Sequence, residues 1–223
     1  MDGDNQGPAA GLDLGSPLEG RFNAEDAEPV DTFKILCALC VKAPGFLMKI
    51  HQITADELKS SAVEFHALLR DAVDHGASIG FTLPLAEAEV ADYWRKVGAD
   101  VAAGTKLLFA ARDEAERLLG SGQLALEMRS NGRHRAEVQK LLVFAARRGA
   151  GIGSSLMAAI EQAARAKGRT LLFLDTSVGA SGAMRLYEQL GYTPCGGIPD
   201  YAMDPDGTLK ANAIYYKKLR ADG

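Results

Sequence analysis

Between Arg147 and Ser155 the chain reads Arg-Arg-Gly-Ala-Gly-Ile-Gly-Ser-Ser, and an apolar helical pattern (Ile152, Leu156, Ile160, Ala163) begins inside this stretch. Glycines at alternate positions ahead of a helix could do anion chemistry. The first amides of a helix have no intrahelical acceptor, and the helix dipole sets partial positive charge beside them. Glycine lets such a backbone approach a phosphate with no Cβ in between. Spacing excludes two phosphate loops of this general kind. No lysine follows Gly153, as Gly-x-x-x-x-Gly-Lys-Ser/Thr demands, and Ser154 and Ser155 break the third interval of Gly-x-Gly-x-x-Gly. On these residues alone a tight strand-to-helix turn stays open beside the anion site. Cys37-x-x-Cys40 has no second cysteine pair and no nearby histidine, and His51, His66, His75 and His134 are scattered, so no metal is expected.

The elements that must hold this stretch alternate from Met48 onward. Met48–Ile53 reads as a strand. Thr54, with Glu57 three residues on, forms a capping box for a helix running to about Asp74. A second helix is predicted from Ala86 to about Val101 around Trp94. Lys106–Arg112, Ser121–Met128 and Arg135–Phe144 read as three successive strands. The glycine stretch and its helix follow, closed by Gly168; then come a buried strand, Thr170–Asp175, and a helix from Ser181 to Leu190. The tail, Tyr192–Leu219, reads as two strands joined at Asp204-Pro205-Asp206-Gly207. The expected fold is a mixed α/β domain over residues 48–223.

Residues 1–47 read as an extension, largely disordered, with one short helix within 32–47 broken at Pro44-Gly45, and Met48 as the functional start. Residues 1–31 carry a charge of −7 and the remainder +3, a balance too weak for nucleic acid and compatible with a small anionic ligand. The longest apolar run, Ile35–Val41, spans seven residues, too few for a bilayer. The acidic N-terminus lacks a signal peptide's basic start, and three cysteines fit a reducing cytoplasm.

With the elements in place, Arg148-Gly149-Ala150-Gly151-Ile152-Gly153 resembles the Arg/Gln-x-x-Gly-x-Gly/Ala signature of the GNAT superfamily of N-acetyltransferases. Leu186-Tyr187-Glu188-Gln189-Leu190-Gly191-Tyr192 resembles that superfamily's second signature, Leu/Phe-Tyr-x-x-Leu-Gly-Phe/Tyr. Ala150 stands where many members carry a second basic residue, and Ala180 where many have asparagine. The segments His134–Val143, Leu171–Thr176 and Asp204–Leu219 are similar to the tabtoxin-resistance type. The resemblance spans roughly residues 48–219. It implies the GNAT fold, a central, mostly antiparallel sheet flanked by helices. It also implies acetyl-CoA as cosubstrate, held through Leu142, Val143, Arg148, Gly149, Ala150, Gly151, Ile152, Gly153 and Ser154, with the Val143 amide polarising the thioester carbonyl.

Acetylating an amine requires a neutral nucleophile, donors for the developing oxyanion and an acid for the departing thiolate. An alkyl amine titrates near ~10.4, so a base or water relay is useful at neutral pH. Glu137 stands eleven residues before Arg148, on the preceding strand, where the superfamily's glutamate base occurs. Strand alternation places it on the face of Gln139 and Leu141, opposite Val138 and Lys140. Asp175 closes the neighbouring strand, and the resemblance implicates both carboxylates in catalysis. It makes Tyr187 the acid for the thiolate. A solvated ion pair for Glu137, a turn cap for Asp175 and core packing for Tyr187 remain open, as does a core role for Phe81, Tyr93 and Trp94 against walling the acceptor pocket. The implied function is acetyl transfer from acetyl-CoA to a small-molecule primary amine in a ternary complex, in detoxification or resistance. Alternatives are a protein or peptide amine acceptor and a non-catalytic acyl-CoA-binding module. No nucleic-acid or membrane partner is expected, and a homodimer is left open.

Overall fold

The structure, a computed structural model, describes residues 39–43 and 46–219. The strands are β1 (Leu39–Ala43), β2 (Phe46–Ile53), β3 (Lys106–Asp113), β4 (Leu118–Leu126), β5 (Arg135–Val143), β6 (Leu171–Ser177), β7 (Thr193–Gly196), β8 (Ala202–Met203), β9 (Leu209–Lys210) and β10 (Asn212–Lys218). The helices are α1 (Ala55–Ser60), α2 (Ala62–Asp74), α3 (Glu87–Ala102), α4 (Ile152–Ala166) and α5 (Ser181–Gln189). Eight strands form one sheet in the order β1-β2-β3-β4-β5-β6-β10-β7. Every neighbouring pair is antiparallel except β5–β6, which α4 connects as a parallel crossover.

Period-two alternation in the central strands feeds two cores. Leu107, Phe109 and Ala111 of β3 pack with Leu156, Met157 and Ile160 of α4. Leu108 and Ala110 point the other way, onto Phe65, Leu69, Trp94 and Val97 of α2 and α3. Helices thus cover both faces, α1–α3 on one and α4 with α5 on the other. That is the mixed, mostly antiparallel GNAT architecture the sequence led us to expect.

The capping box at Thr54 forms as expected, the Glu57 amide donating to Thr54 Oγ1 at 3.2 Å and the Thr54 amide to Glu57 Oε2 at 2.7 Å. The single helix expected after it is two. Ser60 Oγ donates to the Glu57 carbonyl at 3.0 Å, and Ser61 is already off helical geometry at ψ 15°, so the serine pair ends α1 and starts α2. A second correction falls in 32–47. Where a short helix was expected, Leu39–Ala43 is strand β1, paired with Phe46–Ile50 of β2. A short apolar run does not distinguish helix from strand, and the free edge of β2 decides it. The sheet therefore includes residues ahead of Met48; the rest of the expected extension, with Cys37, lies outside the described residues. In the tail the turn forms, the Gly207 amide donating to the Asp204 carbonyl at 2.9 Å, but it joins only the short strands β8 and β9. The long pairing is β7 with β10.

Candidate active site

The site grows out of one irregularity in β5. Ser121 of β4 pairs with Leu142, yet Gln123 pairs with Gln139, so Lys140 and Leu141 together stand opposite Gly122. This is a β-bulge, and Lys140 sits in the left-handed region at φ 46°. The extra residue reverses the alternation. Ala136 and Val138 face α4, and beyond the bulge it is Leu141 that packs on that core while Leu142 enters the α1–α3 core. The expectation that Leu141 shares the face of Glu137 is corrected for this reason. Glu137 and Gln139 share the α1–α3 face with each other, and Gln139 Nε2 donates to Glu137 Oε2 at 2.8 Å.

The parallel ladder between β5 and β6 joins only Arg135↔Leu171, Ala136↔Leu172 and Glu137↔Phe173. Past Glu137 both strands continue, to Val143 and Ser177, without pairing to each other. Backbone groups on facing edges are thereby left for a third, extended partner, as in strand addition. Asp175 lies two residues beyond Phe173, on the face of Glu137, since Leu172 and Leu174 point to the α4 core. The two carboxylates expected from the sequence therefore flank one face of this opening.

At the end of β5 the chain enters the glycine loop. The Asp71 carboxylate of α2 accepts from the Ala145 amide at 2.7 Å and fixes where the loop starts. Arg148 Nε donates to the Val143 carbonyl at 3.4 Å. The Arg148 amide donates to the Ala145 carbonyl and the Ser155 amide to the Gly151 carbonyl; between them, the amides of Gly149 to Ser154 have no acceptor among the described residues. Gly149 and Gly151 lie at φ 80° and 79°, where a side chain would be strained, and space around both is open. Gly153 differs. A Cβ there would come 3.2 Å from Leu186 Cδ2, so this glycine serves the packing of α4 against α5. Ala150 turns its methyl onto the α4-side core. Six unsatisfied amides on an open loop at a helix N-terminus make an arrangement suited to an anion such as a diphosphate.

Tyr187 belongs to the α4-side core, within reach of the Asp175 charge. Helix α5 ends with the Gly191 amide donating to the Glu188 carbonyl and the Tyr192 amide to the Tyr187 carbonyl at 2.9 Å. That pattern needs a left-handed residue, and Gly191 supplies it at φ 80°. It folds Tyr192 back onto Tyr187, ring centroids 6.0 Å apart, with Tyr215 also packed on Tyr187 at 5.9 Å. The Leu-Tyr-x-x-Leu-Gly-Tyr motif is thus a device that holds one phenol. Tyr187 is 6% exposed. Burial, and then the negative charge of Asp175, push its pKa up to about 12, so it stays a proton donor at neutral pH.

A polar network around Tyr93 lines the α1–α3 face. Gln123, fully buried, donates from Nε2 to Tyr93 Oη at 2.8 Å and accepts from Lys106 Nζ at 3.1 Å. Lys106 Nζ also lies 3.7 Å from Asp100. Burial lowers the pKa of Lys106 and raises that of Tyr93. Phe81 stands edge-on to Tyr93 at 5.4 Å, whereas Trp94 is core, packed edge-on to Phe65 at 4.9 Å. Lys140, half-buried, has its pKa lowered by burial, with Asp175 and Glu137 opposing that shift. Of the pocket-wall candidates Phe81, Tyr93 and Trp94, Tyr93 joins this network and Phe81 packs on it, while Trp94 is core; Gln123, Lys106 and Asp100 escaped sequence reading because only the packing of α3 on the sheet brings them together.

Residues 67–192 match the model of the acetyltransferase (GNAT) family. Among solved structures, the chain is similar to an N-acetyltransferase from Staphylococcus aureus Mu50 (TM-score 0.64, 17% identity, covering 78% of this chain and 99% of that one). It is also similar to a ribosomal-protein-alanine N-acetyltransferase from Brucella melitensis (0.64, 20%, 76% and 99%). A third is a phosphinothricin acetyltransferase from Sinorhizobium meliloti in complex with acetyl-CoA (0.63, 20%, 77% and 88%). At these identities the structural likenesses speak to the fold.

Proposed function

The chain belongs to the acetyltransferase (GNAT) family, and we propose that it transfers the acetyl group of acetyl-CoA to the primary amine of a small molecule, both bound together. The observation that carries this reading is the opening past Glu137: two carboxylates on one face, a buried phenol from the other, and unpaired amides at its end. Bound acetyl-CoA supplies an activated acetyl thioester. The amides from Gly149 to Ser154, with Arg148, hold its diphosphate, and the β5 backbone at Leu142 and Val143 lies along the opening. The Val143 amide donates to the acetyl oxygen. Glu137, oriented by Gln139, accepts a proton from the amine, directly or through water, and Asp175 shares that work from β6. Tyr187 gives its proton to the departing sulfur.

The side chains bordering this face support a small amine as acceptor: Tyr93 of α3 stands edge-on to Phe81 and accepts from Gln123. The phosphinothricin acetyltransferase among the similar structures, and the sequence likeness to the tabtoxin-resistance type, support detoxification of an amine as the setting. Thiol release from acetyl-CoA, measured across small primary amines and N-terminal peptides, tests this. Turnover confined to small amines is expected, and turnover confined to peptides refutes it.

A further inference from the structure

Helix α5 carries Tyr187, yet it is nine residues long and buries no other side chain among those described. A helix this short is marginal by itself, so its tertiary contacts decide where the phenol stands. On one side of Tyr187, Gly153 of α4 lets Leu186 approach closely. On the other side stands a charged cluster that the chemistry proposed above does not use. Lys217 of β10 donates from Nζ to the Leu190 carbonyl at 2.7 Å and to both carboxylate oxygens of Glu161 on α4, at 2.7 and 2.8 Å. Leu190 caps the C-terminus of α5, where a carbonyl lacks an intrahelical donor, and here an ammonium takes the place of water. Glu161 is 7% exposed, and a carboxylate so buried keeps its charge only with such a partner. The same ammonium lies 5.4 Å from the centre of the Tyr192 ring, which itself packs on Tyr187. Two residues earlier, on the same face of β10, Tyr215 packs on Tyr187 and donates from Oη to Glu188 of α5 at 3.1 Å.

We propose that Lys217, held by Glu161, is a positioning residue for the Tyr187 phenol. It ties the C-terminal end of α5 to α4, the helix whose N-terminus carries the glycine loop, and so sets the proton donor relative to that loop. The tie acts through the Leu190 carbonyl and the Tyr192 ring, and it touches no reacting atom. This rests on the reading of Tyr187 as the acid for the departing sulfur. Loss of the tie displaces the phenol and slows the chemical step, while the amides from Gly149 to Ser154, at the other end of α4, keep their geometry.

The test is a double-mutant cycle on kcat for thiol release, with the dissociation constant for CoA measured alongside by calorimetry. Removing Lys217 alone orphans a buried carboxylate, so both partners are exchanged together, Lys217→Met with Glu161→Met. In the wild-type background this pair is expected to lower kcat on the order of tenfold to a hundredfold, the cost of a group misplaced by about 1 Å, with CoA affinity unchanged. In the Tyr187→Phe background it should lower kcat no further, because no phenol remains to be placed. Lys217→Arg keeps donors for both Glu161 and Leu190 and should retain most of kcat. The cycle repeated with Lys217→Gln and Glu161→Gln, which removes the charges and keeps polar atoms, decides the result if the methionine pair folds poorly. Equal losses in both backgrounds, an unchanged kcat, or a matching loss of CoA affinity overturns the positioning role and leaves the acid reading standing. Undiminished turnover in Tyr187→Phe refutes the acid and this inference with it, a separate outcome because neither Lys217 nor Glu161 is altered there.

Discussion

Gly151→Ala isolates what the glycine loop does. Gly151 sits at φ 79° as the N-terminal cap of α4, and a Cβ placed there meets nothing within 4 Å. The substitution therefore introduces no clash, and its whole effect is the left-handed backbone penalty, about 1–2 kcal/mol for a non-glycine residue. If the free loop relaxes, holding the backbone from Gly149 to Ser154 in its present geometry restores the penalty on binding. The dissociation constant for CoA then rises about 5- to 30-fold. Any part of the penalty that does not appear in binding appears as lost stability, so titration calorimetry with CoA and urea unfolding together account for it. Gly153→Ala is the matched control. Its backbone is ordinary helix, and the added methyl meets the flexible end of Leu186 at 3.2 Å. It should affect α4 packing slightly and CoA affinity little. The reasoning is refuted if Gly151→Ala moves neither quantity, or if Gly153→Ala weakens CoA binding as much.

Tyr187→Phe should lower kcat at least tenfold while changing CoA affinity little, because a proton for the leaving sulfur is used only in the chemical step; undiminished turnover in a stopped-flow thiol assay rejects the acid. Glu137→Gln should displace the ascending limb of the pH–rate profile toward the amine's own titration near ~10.4, since the amine must then arrive neutral unaided; an unmoved limb excludes a base there. Alkali should unfold the protein cooperatively. Below pH 10.0 the buried phenol of Tyr187 is protonated in both states and its contribution is complete; between 10.0 and about 12 the unfolded chain ionises first, and stability falls. That loss is on the order of 3 kcal/mol from Tyr187, with Tyr192 shifted the same way, and urea unfolding at stepped pH measures it.

Much of this was legible in the residues. Thr54 and Glu57 determine a helix start because both partners of the capping box lie within four residues. Glycines at 149 and 151 mark the loop because no other residue type takes left-handed geometry without cost, and Gly191 marks the end of α5 for the same reason. Strand periodicity located β3, β5 and β6, and with them the positions of Glu137 and Asp175.

What the sequence could not express is the bulge. Its left-handed residue is a lysine, not one of the glycine, asparagine or aspartate types that suggest positive φ, and nothing nearby in the chain marks the loss of alternation after Gln139. The same holds for Asp71, whose partner Ala145 is 74 residues away, for Gln123 beneath Tyr93, and for β1, a short apolar run made a strand by the edge of β2. Local conformational preferences are written residue by residue, so composition and spacing determined the loop, the caps and the carboxylates. The opening between β5 and β6 and the bulge at Lys140 depend on pairing registers and helix docking between distant segments, and only the tertiary structure decided them.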